Sequence, residues 1–340
     1  MTISSNSISN KNSRECSQVI GRMASYTELN IDQAQKILAL YGIDRIEGIE
    51  PISLGISNSN YRVLLKDSEL LLKVSNDKNI KQLRQEMQIL NYLKNKEFSL
   101  CIAPYSTNEG HLVYQEGSFF GVVFPFINGK APEINGDTSQ KVGEALAKLH
   151  SITSNRPPSE FSRLRNYKLV GFDDDLIRNY VNENKKCPND FKKKFNQILL
   201  PRLNEISGVN LPSGLIHGDL YYDNALFENG ELVTILDFEQ SGIATFLLDI
   251  GISISGTCLK DGKIDQAQID RFLVGYEQYR PLLEEEKNLL NTFVLIGLFS
   301  ISLWRIKRFT EGNLDKSKST FYRQLIERAE QFESELNSTI

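Results

Sequence analysis

Short apolar runs at residues 51–56, 60–65 and 69–75 give way abruptly to helical periodicity, and this switch limits the folds open to the chain. Ser, Asn, Asp and Gly separate the three runs, so they read as consecutive strands joined by tight turns. Over residues 78–95 the period changes: Ile80, Leu83, Met87, Leu90 and Leu93 recur at helical spacing. Runs at 111–115 and 119–127, split by Glu116-Gly117-Ser118, read as a hairpin, and Asn128-Gly129 marks the loop that follows. From about residue 138 the pattern is mainly helical, with Val142, Leu146 and Leu149 on one face of SQKVGEALAKLH. Two short apolar runs, 214–224 and 232–238, interrupt the helices, and long helices return after residue 265. The expectation is an α+β chain with a small mixed lobe at 23–127 and a larger, mainly helical lobe at 128–340. A cleft at such a junction is a common place for a small ligand.

Composition removes several function classes. The 340 residues carry a net charge of -4, without the basic excess expected of a nucleic-acid binder. No apolar run approaches the roughly 18–20 residues that span a bilayer. Residues 1–22 are rich in Ser and Asn and lack an apolar stretch, which points to a disordered extension of a cytoplasmic protein rather than a secretory signal. Cys16, Cys101, Cys187 and Cys258 lie far apart with no Cys-x-x-Cys pair, as scattered thiols in a reducing compartment do. His111, His150 and His217 show no metal-ligand spacing.

The chemistry is concentrated at residues 217–224, HGDLYYDN. Asp219 and Asn224 stand five residues apart, the spacing of the protein-kinase catalytic loop. Phosphoryl transfer needs a carboxylate to orient and deprotonate the attacking hydroxyl, with an oxygen ligand for Mg²⁺ nearby on the same loop. Asp237 ends a strand-like run further on, where a carboxylate is a hard oxygen donor suited to Mg²⁺. One Asp-Asn pair alone would read as a turn with local side-chain hydrogen bonds. The full ordered set is far more restrictive. Asp223 reads as a solvated loop residue.

HGDLYYDN followed by ILDFE is similar to the aminoglycoside phosphotransferase and choline kinase superfamily, the protein-kinase-like small-molecule kinases. GEALAKLH at 143–150 resembles the helix before their catalytic loop, and LLDIG at 247–251 their segment after the metal-binding Asp. The resemblance covers roughly residues 23–330 and implies a two-lobed protein-kinase-like fold with ATP and Mg²⁺ as cofactors. It implies Asp219 as catalytic base, Asn224 and Asp237 as Mg²⁺ ligands, and His217 as a structural support of the loop. Asp249 matches a buried carboxylate that holds the catalytic loop, though it could equally cap the helix that follows. Lys73 lies in the third strand, where kinases place the lysine that holds the α- and β-phosphates, and its expected partner is Glu86. A lysine there could instead simply reach the surface. The turn 54–60, with Ser57 and Asn58, would cover phosphate, and Phe124 and Phe126 would flank the hinge that holds adenine. Asp237-Phe238-Glu239 stands where protein kinases have Asp-Phe-Gly, and no Ala-Pro-Glu segment follows.

Within the superfamily, Met23-Ala-Ser-Tyr-Thr-Glu-Leu, Asn58-Ser59-Asn60-Tyr61, GEALAKLH and Gly275-Tyr276 with Arg280-Pro281-Leu282 resemble bacterial type II homoserine kinases. Tyr221-Tyr222 replaces the Phe-Pro of their catalytic loop, and Glu239-Gln240-Ser241 differs from their aromatic stretch. The implied acceptor is a small amino-containing alcohol, with L-homoserine first. Choline, ethanolamine and aminoglycosides are the alternatives within the superfamily, and a nucleotide-binding pseudokinase is the alternative outside it. Arg305 could hold a substrate carboxylate if it faces the cleft, or belong to a solvated basic helix face. Glu239 is a candidate for the substrate amine.

Overall fold

The computed structural model describes residues 27–52, 58–76, 78–154, 173–204, 206, 208–312 and 316–338. The amino-terminal extension, Cys16 and Ser57 lie outside the described residues. Chain order begins with α1 (Ile31–Ala39), β1 (Gly48–Ile52), β2 (Asn58–Leu64), β3 (Glu69–Ser75), α2 (Ile80–Asn95), β4 (Tyr114–Glu116) and β5 (Phe119–Pro125). These strands form one antiparallel sheet in the order β1-β2-β3-β5-β4.

Strand alternation divides the sheet's two faces. Tyr61, Val63, Leu70, Leu72, Val74 and Val123 point to one side and bury against Ala34, Ile37 and Leu38 of α1. The registers Asn60–Lys73–Val122 and Arg62–Leu71–Phe124 set the opposite face. On that side Val122 and Phe124 join Leu83, Met87 and Leu90 of α2 in the large core that continues into the helical lobe. A one-residue slip would exchange these sets, so burial on both faces fixes the register.

Sequence periodicity alone does not announce α1. Its signal is a capping box, in which Asn30 accepts from Gln33 N and Gln33 returns a bond to Asn30 N. Asn79 and Gln82 start α2 the same way.

The second lobe contains α3 (Gly136–Ser151), α4 (Asp174–Glu183), α5 (Asn189–Lys194), α6 (Leu200–Leu203), β6 (Ser213–Ile216), β7 (Ala225–Glu228), β8 (Glu231–Ile235), β9 (Gly242–Thr245) and α7 (Phe246–Thr257). A hairpin of β10 (Leu259–Lys260) and β11 (Lys263–Ile264) precedes α8 (Gln266–Glu277), α9 (Glu284–Arg305) and α10 (Tyr322–Ser338). The run 214–224, which interrupts the helices, is strand only through Ile216 and then becomes loop. That break frees the polar groups of 217–224 for side-chain partners.

Helices α7 and α9 form the center of this lobe, and two glycines set their approach. A Cβ on Gly251 would collide with Phe293 O, and one on Gly297 would lie 2.8 Å from the Gly251 carbonyl carbon, both far inside contact distance. Only glycine lets the two backbones meet so closely. Every residue of α7 is buried.

The helix running Glu284–Glu311 corrects the membrane expectation. It is 28 residues long, with an 18-residue window of mean hydropathy 1.7, and is long and apolar enough to cross a membrane. Of that window, 83% is buried inside the protein, against α7 on one side and α10 on the other. A helix covered on nearly all sides is apolar nearly all round.

Candidate active site

Two short ribbons clamp two loops face to face. β6 pairs with β9 from Ser213–Thr245 to Ile216–Gly242, and β7 pairs with β8 starting at Ala225–Ile235. The loop 217–224 joins β6 to β7, and the loop 236–241 joins β8 to β9, so the ribbon ends force the loops alongside one another. Leu236 N donates to Asn224 O (2.8 Å) and Ser241 Oγ donates to His217 O (3.2 Å). Gly218, with φ +79° and a would-be Cβ 2.5 Å from Gln240 O, tolerates no side chain here.

His217 locks the pair. Asp219 N donates to its Nδ1 (3.2 Å), so the ring proton sits on Nε2, which donates to Leu236 O (2.8 Å). Full burial lowers the imidazole below its ordinary value, and both nitrogens are occupied by backbone groups. The geometry is that of a brace, with no nitrogen left for proton transfer.

Asp249 decides between the two roles open to it. The N-cap of α7 is Thr245, and Asp249 lies one turn inside the helix. Its Oδ2 accepts from His217 N (2.7 Å) and faces His150 Nε2 (2.9 Å), while Oδ1 accepts from Gly218 N (2.8 Å). Burial alone would raise this carboxyl. His150, His217 and the Gly218 N–H outweigh it and hold the group below the usual carboxylate range. His150 passes the support on through Nδ1 to Tyr276 OH (2.6 Å), which accepts from Arg280 Nη1 (3.1 Å); Arg280 in turn pairs with Glu286 at 2.8 and 3.0 Å.

Asn224 Nδ2 donates to Asp219 O (2.8 Å) and to Asp219 Oδ2 (3.3 Å), which leaves Asn224 Oδ1 as a free acceptor. Asp237 sits in the left-handed region (φ 63°, ψ 60°), a strained place for a residue with a side chain, and its Oδ1 is buried without a hydrogen bond. Burial and then the charges of Asp237, Glu239 and Asp223 push the Asp219 carboxyl well above its ordinary value. This excess of negative charge, with two uncommitted oxygens, fits a divalent cation. No group of three His, Cys, Asp or Glu side chains is arranged for a metal among the described residues. Mg²⁺ characteristically takes one or two protein carboxylates and completes its shell with water and substrate phosphates.

On the sheet side, Lys73, Asn58, Glu86 and Phe124 line one small cavity with Ser75, Leu83 and Met87. The expected Lys73–Glu86 ion pair is not formed. Lys78 Nζ instead lies 2.6 Å from Glu86 Oε2 and 3.0 Å from Glu239 Oε2, and Lys73 Nζ stands 5.8 Å from the Phe124 ring centroid. The reason is electrostatic: Glu86 and Glu239 are both largely buried, Glu239 under the charge of Asp237 as well, and Lys78 is near enough to neutralise both. Glu239 therefore faces the lobe junction, not an acceptor amine. Burial opposes the Lys78 charge, but its two carboxylates raise the ammonium above its usual value.

At the hinge, Phe126 N already donates to Glu69 O (3.2 Å), and Arg62 stacks 5.0 Å over the Phe126 ring. Arg305 lies at the end of α9, where Nη1 donates to Phe321 O (2.9 Å) and its charge acts on Tyr221 and Asp223 of the loop. Sequence reasoning missed Lys78, His150, Tyr276 and Arg280. Only GEALAKLH and the Gly275 to Leu282 segment held a local trace of three of them.

Residues 48–282 match the family model described as the phosphotransferase enzyme family. The chain belongs to this family. A homoserine kinase of Polaromonas naphthalenivorans (strain CJ2) is 27% identical over 297 residues, covering 84% of this chain and 90% of that protein. Among solved structures, the microcompartment-associated aminopropanol kinase superposes with a TM-score of 0.67 at 18% identity, covering 91% of this chain and 98% of the other. An amicoumacin kinase solved with AMP-PNP and Ca²⁺ gives 0.65 at 18%, covering 88% and 92%. The fold of this phosphotransferase is protein-kinase-like, and the chain is an ATP-dependent kinase acting on a hydroxyl.

Proposed function

We propose that this phosphotransferase moves the γ-phosphoryl group of ATP to the side-chain hydroxyl of L-homoserine in the cytoplasm, as a step of threonine biosynthesis. The observation that carries the reading is Asp219 bonded to Asn224, whose Oδ1 stays uncommitted, with the unbonded Oδ1 of Asp237 on the facing loop and the Arg305 charge acting on Tyr221 two residues on. The curated relatives matched over most of the chain and named homoserine kinase support it.

In this mechanism Asp219 orients the acceptor hydroxyl and takes its proton as the oxygen attacks the γ-phosphorus and the bond to ADP breaks. Asn224 and Asp237 would hold Mg²⁺. When bound, Mg²⁺ would neutralise phosphate charge and relieve the crowding of Asp219, Asp237 and Glu239. Lys73, on the cleft face of β3, is the proposed ligand of the α- and β-phosphates; Asn58, Glu86, Phe124 and Phe126 border the nucleotide. His217 and Asp249 fix the loop. Arg305 attracts the substrate carboxylate.

Steady-state ADP release with L-homoserine, choline, ethanolamine and kanamycin tests the proposal. L-Homoserine should turn over at about 1–100 s⁻¹. Choline, which leaves the carboxylate receptor unpaired, should be at least about a hundredfold poorer in kcat/KM. Arg305→Ala should raise KM for L-homoserine more than KM for ATP. Turnover of a cationic alcohol with L-homoserine inert would refute the acceptor.

A further inference from the structure

Among the described residues two arginines are more than nine-tenths buried, and the protein treats them differently. Arg280, 8% exposed, is neutralised by the bidentate pair with Glu286. Arg328 of α10, 7% exposed, has no carboxylate within ion-pair distance among the described residues. Its hydrogen bonds go to backbone carbonyls, Nε to Gly262 O (2.9 Å) and Nη1 to Ser255 O (2.8 Å). Those two anchors fix the plane of the guanidinium and leave Nη2 without a hydrogen bond among the described residues. A buried cation held rigid and left uncompensated is costly, and such groups are normally paired.

Its surroundings join it to the catalytic loop. Tyr221 and Tyr222 of that loop interact with it, and burial with the Arg305 charge lowers its guanidinium from the ordinary value. Tyr221, two residues beyond Asp219, lies flat on the backbone of α7, where Gly256 gives it room, and its hydroxyl is 3.0 Å from Ser255 Oγ. The carbonyl of the same Ser255 anchors Arg328. The turn at the end of α7 thus ties the catalytic loop directly to this cation. Arg305 is a second guanidinium whose charge acts on Arg328, and it too is bonded to a carbonyl and a neutral amide oxygen. An anion joining two such cations would relieve their repulsion.

We propose that Arg328 is a specificity-determining residue that receives the acceptor's carboxylate through its free Nη2 edge, with Arg305 supplying the second positive charge. The inference rests on the reading of the acceptor as an amino acid, and it adds the residue and the chemical group recognised. A planar fork held by two carbonyls suits a carboxylate better than an ammonium would.

The test compares L-homoserine with 3-amino-1-propanol, the same amino alcohol without its carboxylate, in the wild type, Arg328→Met and Arg328→Lys. Arg328→Met should cut kcat/KM for L-homoserine by about 100-fold, chiefly through KM. Its 3-amino-1-propanol turnover, slow in the wild type, should stay within about threefold, as should KM for ATP. Arg328→Lys keeps the charge but loses the fork, and should lose about tenfold or more on L-homoserine alone. If Arg328→Met does not fold, Arg328→Lys decides the matter. Equal losses on both acceptors, or none on either, would overturn the carboxylate role. A wild type that phosphorylates 3-amino-1-propanol but not L-homoserine would overturn the acceptor reading instead.

Discussion

Replacing Asp219 by Asn is expected to lower kcat by at least about 100-fold and leave ATP affinity nearly unchanged, because general-base catalysis is commonly worth about 10²–10⁴. The change is nearly isosteric. Asn224 Nδ2 keeps its 2.8 Å bond to the Asp219 main-chain carbonyl, and Asp219 N keeps its bond to His217 Nδ1. The loop therefore keeps its shape while the base is lost. Single-turnover kinetics with saturating Mg·ATP separates the chemical step from release. A variant that turns over near the wild-type rate would remove Asp219 from the role of base.

Asp237→Ala is expected to act on the other substrate. Its buried Oδ1, without a hydrogen bond, is well suited to a cation, so its loss should weaken Mg·ATP binding at least about tenfold, measured by titration calorimetry. Alanine is also poorly suited to the left-handed backbone at φ 63°, so this variant adds strain to the loss of the ligand. Asp237→Asn separates the two: asparagine accepts that backbone readily and keeps one oxygen, but lacks the charge. It should retain the wild-type melting temperature and still bind Mg·ATP weakly. Unchanged nucleotide affinity in both variants would contradict a metal-ligand role.

The sequence disclosed what is local. The order of periods defined the sheet, α2 and the hairpin because strand and helix register are short-range properties. HGDLYYDN and Asp237 were legible because a catalytic loop compresses its chemistry into a few residues. Pairings made across the fold were not legible. Lys73 and Lys78 are five positions apart, and only the packing of α2 against the 236–241 loop shows that Lys78 takes Glu86 and Glu239. Glu239 looked available to a substrate amine because nothing in sequence reveals that neighbour. Asp249 stayed ambiguous between cap and brace until β6 and β9 brought Gly218 N beneath it. Arg328, on an amphipathic terminal helix, reads as surface until the β10–β11 hairpin and the end of α7 close over it. The apolar length of α9 was underestimated because Asn291, Thr292, Ser300 and Ser302 punctuate it.

Phosphorus NMR of the products formed from ATP, Mg²⁺ and L-homoserine tests the central claim most directly. The account predicts one new phosphate monoester for each ADP, with its phosphorus coupled to the two protons of the side-chain methylene. Inorganic phosphate alone, or no reaction with L-homoserine while choline or 3-amino-1-propanol gives a monoester, would contradict it.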